Sequence, residues 1–214
     1  IIFCCAGAIP TTSILMQSKS GRFPSGLGND SGELGHNLMD HHFKVGASGV
    51  SDNHQQDYYK GRKPAGFFVP RFRNISEETN MKDFVRGYGM QGGASRTDWT
   101  QAIGEMSYGK ELKEAIVKPG KWQIGINCFG ECLPYHENKM SLNYEKLDDW
   151  GLPTIIFDCE YKENEKKMRK DAKEQAVAML KASGFKNVRG YEEDCFPGNG
   201  IHEMGTARMG RDPR

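Results

Sequence analysis

Apolar and polar side chains alternate along the middle of this chain, and that alternation leaves few ways for it to fold. From Lys121 to Phe129 an apolar side chain recurs at every second position, from Trp122 to Cys128. Successive side chains on a strand point to opposite faces, so a period of two predicts half-buried strands of an antiparallel sheet. Similar segments occupy 43–50, 66–72, 84–91, 141–143 and 154–161.

One long helix is predicted over residues 164–182. Lys and Glu crowd one side of this segment, and Gly184 is suited to end it. The apolar stripe on the other side consists of Met168, Ala172, Ala176, Met179 and Leu180. A second helix is predicted over 108–117, ended by Pro119.

The start of the chain has a different pattern. Residues 1–5 are a continuous apolar run, which predicts a strand buried on both faces. A small-residue turn at 6–8 and a short helix over 11–17 follow, with Pro10 where the helix could begin. Strand, tight turn and helix in this order place backbone N–H groups against a nucleotide. Residues 19–36 are rich in Gly, Ser, Asn and Pro and are predicted to form a long loop.

Composition excludes some classes of partner. The net charge of the 214 residues is +1, so no nucleic-acid partner is expected. No apolar run approaches the roughly 20 residues that span a bilayer, and no signal peptide is visible. The 26 glycines indicate many turns and close backbone approaches. The length allows one large domain or parts of two.

The segment His202–Gly210 combines a histidine with a glycine-punctuated loop of little bulk. Glycine lets a backbone approach a ligand closely, and histidine exchanges a proton near neutral pH. The chemistry alone fits either an ordinary loop or a cofactor site.

His202–Gly210 resembles the C-terminal histidine motif of the glucose-methanol-choline (GMC) family of flavin-dependent alcohol oxidoreductases. Cys5–Ser18 is similar to the second signature of that family, and Gly35–His42 to a segment just downstream of it. Gly130–Pro134 and Asp149–Pro153 match less sharply. Three motifs in the family's order are far more specific than one.

The resemblance implies an FAD-dependent enzyme that oxidises the CH–OH group of a small alcohol or sugar. His202 is then the base that takes the hydroxyl proton. The residues implied to bind the cofactor are Ala6, Gly7, Ala8, Gly205 and Thr206. Substrate identity and electron acceptor stay open. The sequence also departs from the family after Gln17, where Ser18-Lys19-Ser20 replaces the usual Ser-Gly.

The resemblance also implies a domain layout and a mixed α+β and α/β fold class. Residues 1–36 would be part of a Rossmann-like FAD-binding domain, 37–190 an antiparallel-sheet substrate domain with helices, and 191–214 a return to the FAD domain. The FAD fingerprint and a second catalytic residue are not found in this sequence. We therefore expect a fragment that binds FAD poorly and is inactive alone.

Several motifs have weaker interpretations. Gly87–Gly92 matches Gly-x-Gly-x-x-Gly, but its polar lead-in favours a glycine-rich strand over a nucleotide site. Asn37 and Asp40 are predicted to cap or brace the loop. A metal site is not predicted at the histidines His36, His41, His42 and His54, or at the six cysteines, whose default is buried free thiols. A non-catalytic module that binds a carbohydrate or a partner is the alternative function.

Overall fold

The computed structural model describes residues 1–53, 66–96, 108–117, 120–198 and 200–211. These residues form two compact units, each assembled from separate stretches of chain. Unit 1 comprises Ile1–Phe43, Glu131–Lys166 and Cys195–Arg214, and unit 2 comprises Lys44–Gly130 and Lys167–Asp194. The predicted middle segment, 37–190, therefore contributes to both units. Which part of the chain binds which ligand stays a prediction.

Eleven helices and strands are described, together with a 3-10 helix at Glu77–Thr79. They are α1 (Ala8–Gln17), β1 (His41–His42), β2 (Val45–Ser51), β3 (Phe67–Val69), β4 (Tyr88–Arg96), α2 (Gly109–Val117), β5 (Trp122–Glu131), β6 (Lys139–Leu147), β7 (Pro153–Asp158), α3 (Glu163–Ala182) and β8 (Lys186–Glu192). No described helix is both long and apolar enough to cross a membrane.

Unit 2 is built on an antiparallel sheet with the strand order β3-β4-β5-β2-β8. Its central strand β5 alternates as predicted, with Ile126 and Cys128 buried and Gln123 and Asn127 exposed. The alternation arises because only one face of the sheet is covered by the core. Mixed helix and antiparallel sheet, the coarser part of the predicted fold class, is confirmed.

Helix α3 covers the apolar face of that sheet. The buried core of unit 2 consists of Val45, Ala47, Phe84, Tyr88, Met90, Ile126, Cys128, Met168, Ala172, Ala176 and Leu180. The predicted helical stripe is confirmed, and Met179 packs against the same cluster while partly buried. Ala172 and Ala176 have small side chains, so helix and sheet approach closely, and the Cys128 thiol donates to the Ala172 carbonyl at 3.6 Å.

One partly buried carboxylate, that of Asp171, fixes the helix on the sheet. The Arg73 guanidinium donates two hydrogen bonds of 2.9 Å to the Asp171 carboxylate. The Tyr88 hydroxyl donates to the same carboxylate. Burial, reinforced by Asp171, raises the pKa of Tyr88 far above its usual range. The phenol therefore stays protonated and keeps donating to Asp171.

The glycine motif at Gly87–Gly92 runs into strand β4, which continues to Arg96. A Cβ built on Gly92 would lie 2.2 Å from the Phe67 ring and 2.6 Å from the Gly125 carbonyl oxygen. These glycines let neighbouring strands and rings pack, so the interpretation as a glycine-rich strand is confirmed.

The predicted strand over residues 1–5 is wrong. These residues belong to no described strand, and Ile1, Ile2 and Phe3 are exposed. An apolar run forms a buried strand only when neighbours supply hydrogen bonds on both sides, and no described strand does so here. The prediction that the cysteines are buried free thiols is also wrong for Cys4 and Cys5, which are exposed.

Helix α1 begins at Ala8, three positions before the predicted start. Pro10 fits inside the first helical turn because the N–H it lacks would have no partner within the helix. Unit 1 otherwise contains the antiparallel pair β6–β7, and a Rossmann-like domain for this part of the protein stays a prediction.

Replacing Leu180 with alanine tests the core of unit 2. Leu180 is 2% exposed, so its truncation leaves a cavity and costs about 2–5 kcal/mol of unfolding free energy. Urea unfolding followed by circular dichroism measures the loss. Glu174→Ala, on the exposed side of the same helix, is the control and should change stability by at most about 0.5 kcal/mol. Equal losses would contradict this packing.

The Cys128 thiol gives a pH-dependent test. Burial raises its pKa from 9.0 to about 12, so iodoacetamide at pH 8 should modify the exposed Cys4 and spare Cys128 until denaturant is added. A raised folded-state pKa contributes stability that is fully present below pH 9 and is lost as the pH rises towards 12. Mass spectrometry of the labelled peptides measures the alkylation rates of Cys4 and Cys128. Equal rates in the native protein would refute the buried thiol.

Candidate functional site

Two distant stretches of chain meet in unit 1. Met39 and Met204 exchange backbone hydrogen bonds of 2.8 and 3.0 Å, as in an antiparallel bridge. The Gly35 N–H donates to the Thr206 carbonyl at 2.8 Å. The motif that begins at His202 is thereby fixed against the segment around Gly35–His42.

The Asp40 carboxylate holds this junction together. Its Oδ1 accepts the backbone N–H groups of His41 at 2.7 Å and His202 at 3.1 Å. Its Oδ2 accepts those of Gly198 at 3.2 Å and Gly200 at 2.7 Å. Asp40 is 3% exposed, so four charge-assisted hydrogen bonds replace the water that the carboxylate has lost. The predicted bracing role of Asp40 is confirmed.

Two glycines are required by this packing. A Cβ on Gly200 would lie 2.6 Å from Asp40 Oδ1. Gly205 has a φ of +99°, and a Cβ there would lie 1.9 Å from the Asn37 carbonyl oxygen. Their lack of a side chain is therefore explained by contacts within the protein.

Two imidazoles lie together on residues whose backbone N–H groups donate to the Asp40 carboxylate. The rings of His41 and His202 meet edge to face, with centroids 5.0 Å apart and an interplanar angle of 78°. His202 is exposed, whereas His41 is half-buried and its carbonyl accepts a hydrogen bond from the Tyr161 hydroxyl at 3.2 Å. The arrangement presents one solvent-accessible imidazole on a fixed backbone, which is suited to proton transfer.

A pair of buried hydroxyls connects helix α1 to the C-terminal motif. The hydroxyl oxygens of Thr12 and Thr206 lie 2.7 Å apart in a hydrogen bond, and both residues are at most 1% exposed. The Thr206 side chain is therefore occupied within the protein. Its contact with a cofactor stays a prediction.

A cleft of about 550 Å³ opens where helix α1 begins. It is lined by Cys4, Gly7, Ala8, Thr11, Met39, Met204, Gly205, Ala207 and Arg208. Gly7 caps the helix with a φ of 80° and without a side-chain hydrogen bond. Its missing Cβ faces open space. The start of a helix and one arginine favour an anionic or carbonyl-bearing ligand.

The structure thus brings Gly7, Ala8 and Gly205 to one cleft. Ala6, His202 and Thr206 are not among the residues that line it. The part played by Asp40 in joining two segments could not be seen in the sequence, because its partners lie about 160 positions away along the chain. No pattern in the sequence indicated that Cys4 and Arg208 would line this cleft.

The remaining titratable groups form no described metal site. Within the described residues no three His, Cys, Asp or Glu side chains are grouped to hold a metal ion, and His54 lies outside those residues. His36 stacks on His136 with centroids 4.0 Å apart. Burial, with the carboxylates of Glu165 and Asp40, raises the pKa of Cys132 well above its usual range, so this thiol is unreactive.

The chain is similar over nearly its whole length to three proteins of known name. It is 30% identical to 2-methyl-1,2-propanediol dehydrogenase of Mycolicibacterium austroafricanum, covering 100% of this chain and 39% of that protein. It is 25% identical to the fructose dehydrogenase large subunit of Gluconobacter japonicus, covering 98% and 37%. It is 25% identical to paromamine 6'-oxidase of Streptomyces fradiae, covering 96% and 35%.

These relatives are oxidoreductases by name, and the chain spans less than two fifths of the length of each. No protein-family model matches the chain.

Substituting Gly205 with alanine tests the junction in unit 1. The new Cβ would meet the Asn37 carbonyl and strain a left-handed backbone, so we expect at least about 2 kcal/mol of destabilisation. Limited proteolysis should then cut the C-terminal segment faster. Gly21→Ala is the control, because Gly21 has no atom within 4 Å of the added Cβ. Unchanged proteolysis of the Gly205 variant would refute the contact with Asn37.

Proposed function

We propose that this chain is part of an FAD-dependent oxidoreductase of the GMC type, acting on the CH–OH group of an alcohol or sugar. The names of the three relatives support this class, since two are dehydrogenases and one is an oxidase. Their names also support the substrate class, because they refer to a diol, a sugar and an aminoglycoside.

One observation in the structure carries the proposal. The start of helix α1 and the segment after His202 converge on one cleft, and an exposed imidazole sits two residues before the cleft-lining Met204. The two segments are those that resemble the family's signatures. An ordinary loop histidine has no need of such a junction.

The residues of the cleft fit part of a flavin nucleotide. Gly7 leaves open space where a side chain would stand, so a planar or phosphorylated group can approach the backbone. Backbone N–H groups at the start of α1 would donate to carbonyl or phosphate oxygens, and Arg208 would add a positive charge. Bound FAD supplies the hydride acceptor for the oxidation.

The chain's own contribution is the handling of a proton. His202 accepts the proton of the substrate hydroxyl, from within about 3 Å in a reactive arrangement. Loss of that proton increases the electron density on oxygen and helps the hydride to leave carbon. The fixed backbone of His202 keeps the imidazole oriented for this step, which is where positioning contributes to rate.

A non-catalytic binding module is less well supported. The polar face of the unit 2 sheet, with Ser48, Gln123 and Arg189 around Gly125, could hydrogen-bond a carbohydrate. Binding of a carbohydrate at that face would not explain why unit 1 holds an exposed histidine next to a buried carboxylate. The relatives are also named for oxidation rather than binding.

The test is replacement of His202 with alanine in the full-length protein purified with its flavin. We expect flavin reduction by substrate, measured anaerobically by stopped flow, to slow by roughly 10²–10⁴-fold because the base is lost. Flavin content should stay the same.

The matched control is His136→Ala, which removes another exposed histidine of unit 1 and should leave the reduction rate unchanged. Unaltered reduction in the His202 variant would exclude it as the base. A full-length protein without flavin would exclude the enzyme class.

A further inference from the structure

The two imidazoles of unit 1 share one support. A single oxygen, Asp40 Oδ1, accepts the N–H of His41 at 2.7 Å and that of His202 at 3.1 Å. The other oxygen fixes the chain just before His202 through Gly198 and Gly200. A change in this carboxylate would therefore move both rings and not only the loop.

The carboxylate is closely matched to its donors. Asp40 is 3% exposed, and a Cβ on Gly200 would lie 2.6 Å from Oδ1 and 3.0 Å from Oδ2, so the group has little freedom to shift. An amide in its place would carry one oxygen and an NH₂ group that cannot accept hydrogen bonds. At least two backbone N–H groups would then be left facing a donor.

The ring contact couples the two histidines. His41 meets His202 edge to face, and His41 is itself fixed through its N–H and through its carbonyl, which the Tyr161 hydroxyl contacts. The half-buried ring therefore limits the orientations open to the exposed one. A displacement of about 1 Å at a reacting group can cost on the order of 10²-fold in rate.

We propose that Asp40 is a positioning residue, which sets His41 and His202 as an ordered pair and thereby keeps the His202 imidazole aimed for proton transfer. This inference rests on the proposed function, in which His202 is the base. The competing explanation is a brace that stabilises the fold and has no influence on the chemical step.

A double-mutant cycle in the full-length flavoprotein separates the two explanations. Asp40→Asn should slow flavin reduction by roughly 10–10²-fold, with a smaller change in the substrate concentration for half-maximal rate. If Asp40 acts through His202, the double variant with His202→Ala should be no slower than His202→Ala alone. If the rate losses of the two single variants multiply in the double variant, the proposal is overturned.

Gly200→Ala provides a second variant in case Asp40→Asn folds poorly. It keeps the carboxylate but forces it to move, so it should slow reduction in the same way and show the same lack of additivity. Asn138→Ala is the stability control. Asn138 is 5% exposed and exchanges hydrogen bonds with the Glu160 backbone in the same unit, and no hydrogen bond between it and the Asp40 carboxylate is described. A similar loss of reduction rate in that control would also overturn the proposal.

Amide hydrogen exchange gives a readout independent of activity. In Asp40→Asn the N–H groups of His41, Gly200 and His202 should lose protection, while those of helix α3 keep it. If Asp40→Asn loses this protection but reduces flavin at an unchanged rate, Asp40 only stabilises the fold and the positioning role is refuted. If His202→Ala itself reduces flavin normally, the base role fails instead, and exchange still reports whether Asp40 orders the pair.

Discussion

A buried carboxylate that accepts four backbone N–H groups is the interaction on which unit 1 depends. Asp40 lies near the start of the chain, and three of its four donors lie at 198–202. Charge-assisted hydrogen bonds of this kind are strong because the acceptor is charged and water does not compete for it in the buried site. The Met39–Met204 bridge, the cleft at helix α1 and the pair of imidazoles are all formed by the two segments that this carboxylate joins, together with helix α1.

Periodicity predicted the elements whose environment is set by neighbours along the chain. The alternation in β5 and the stripe of α3 follow from one face meeting the core, so both were predicted with small errors at their ends. Residues 1–5 were misassigned because an apolar run does not reveal whether strands lie on either side of it. The links of Asp40 to His202 and of Thr12 to Thr206 join positions far apart, and no local pattern encodes them.

Glycine carried an ambiguous signal. In the sequence, the small residues after His202 suggested close approach to a ligand, but the structure supplies a partner inside the protein for one of them, Gly205, and for Gly200, which precedes His202. Gly200 faces the Asp40 carboxylate and Gly205 the Asn37 carbonyl. Gly7 differs, since a side chain there would meet empty space beside the cleft. Where a missing Cβ points therefore separates a glycine kept for packing from one that leaves room for a ligand.

The discontinuity of unit 1 has a consequence for biosynthesis. A ribosome has completed both stretches of unit 2 once Asp194 is made, whereas unit 1 still lacks the donors at Gly198, Gly200 and His202. Until these residues are synthesised, the Asp40 carboxylate can accept a hydrogen bond from only one of its four donors, the N–H of His41. Water must supply the other hydrogen bonds. The imidazole pair can therefore form only after both stretches of unit 2 have been made.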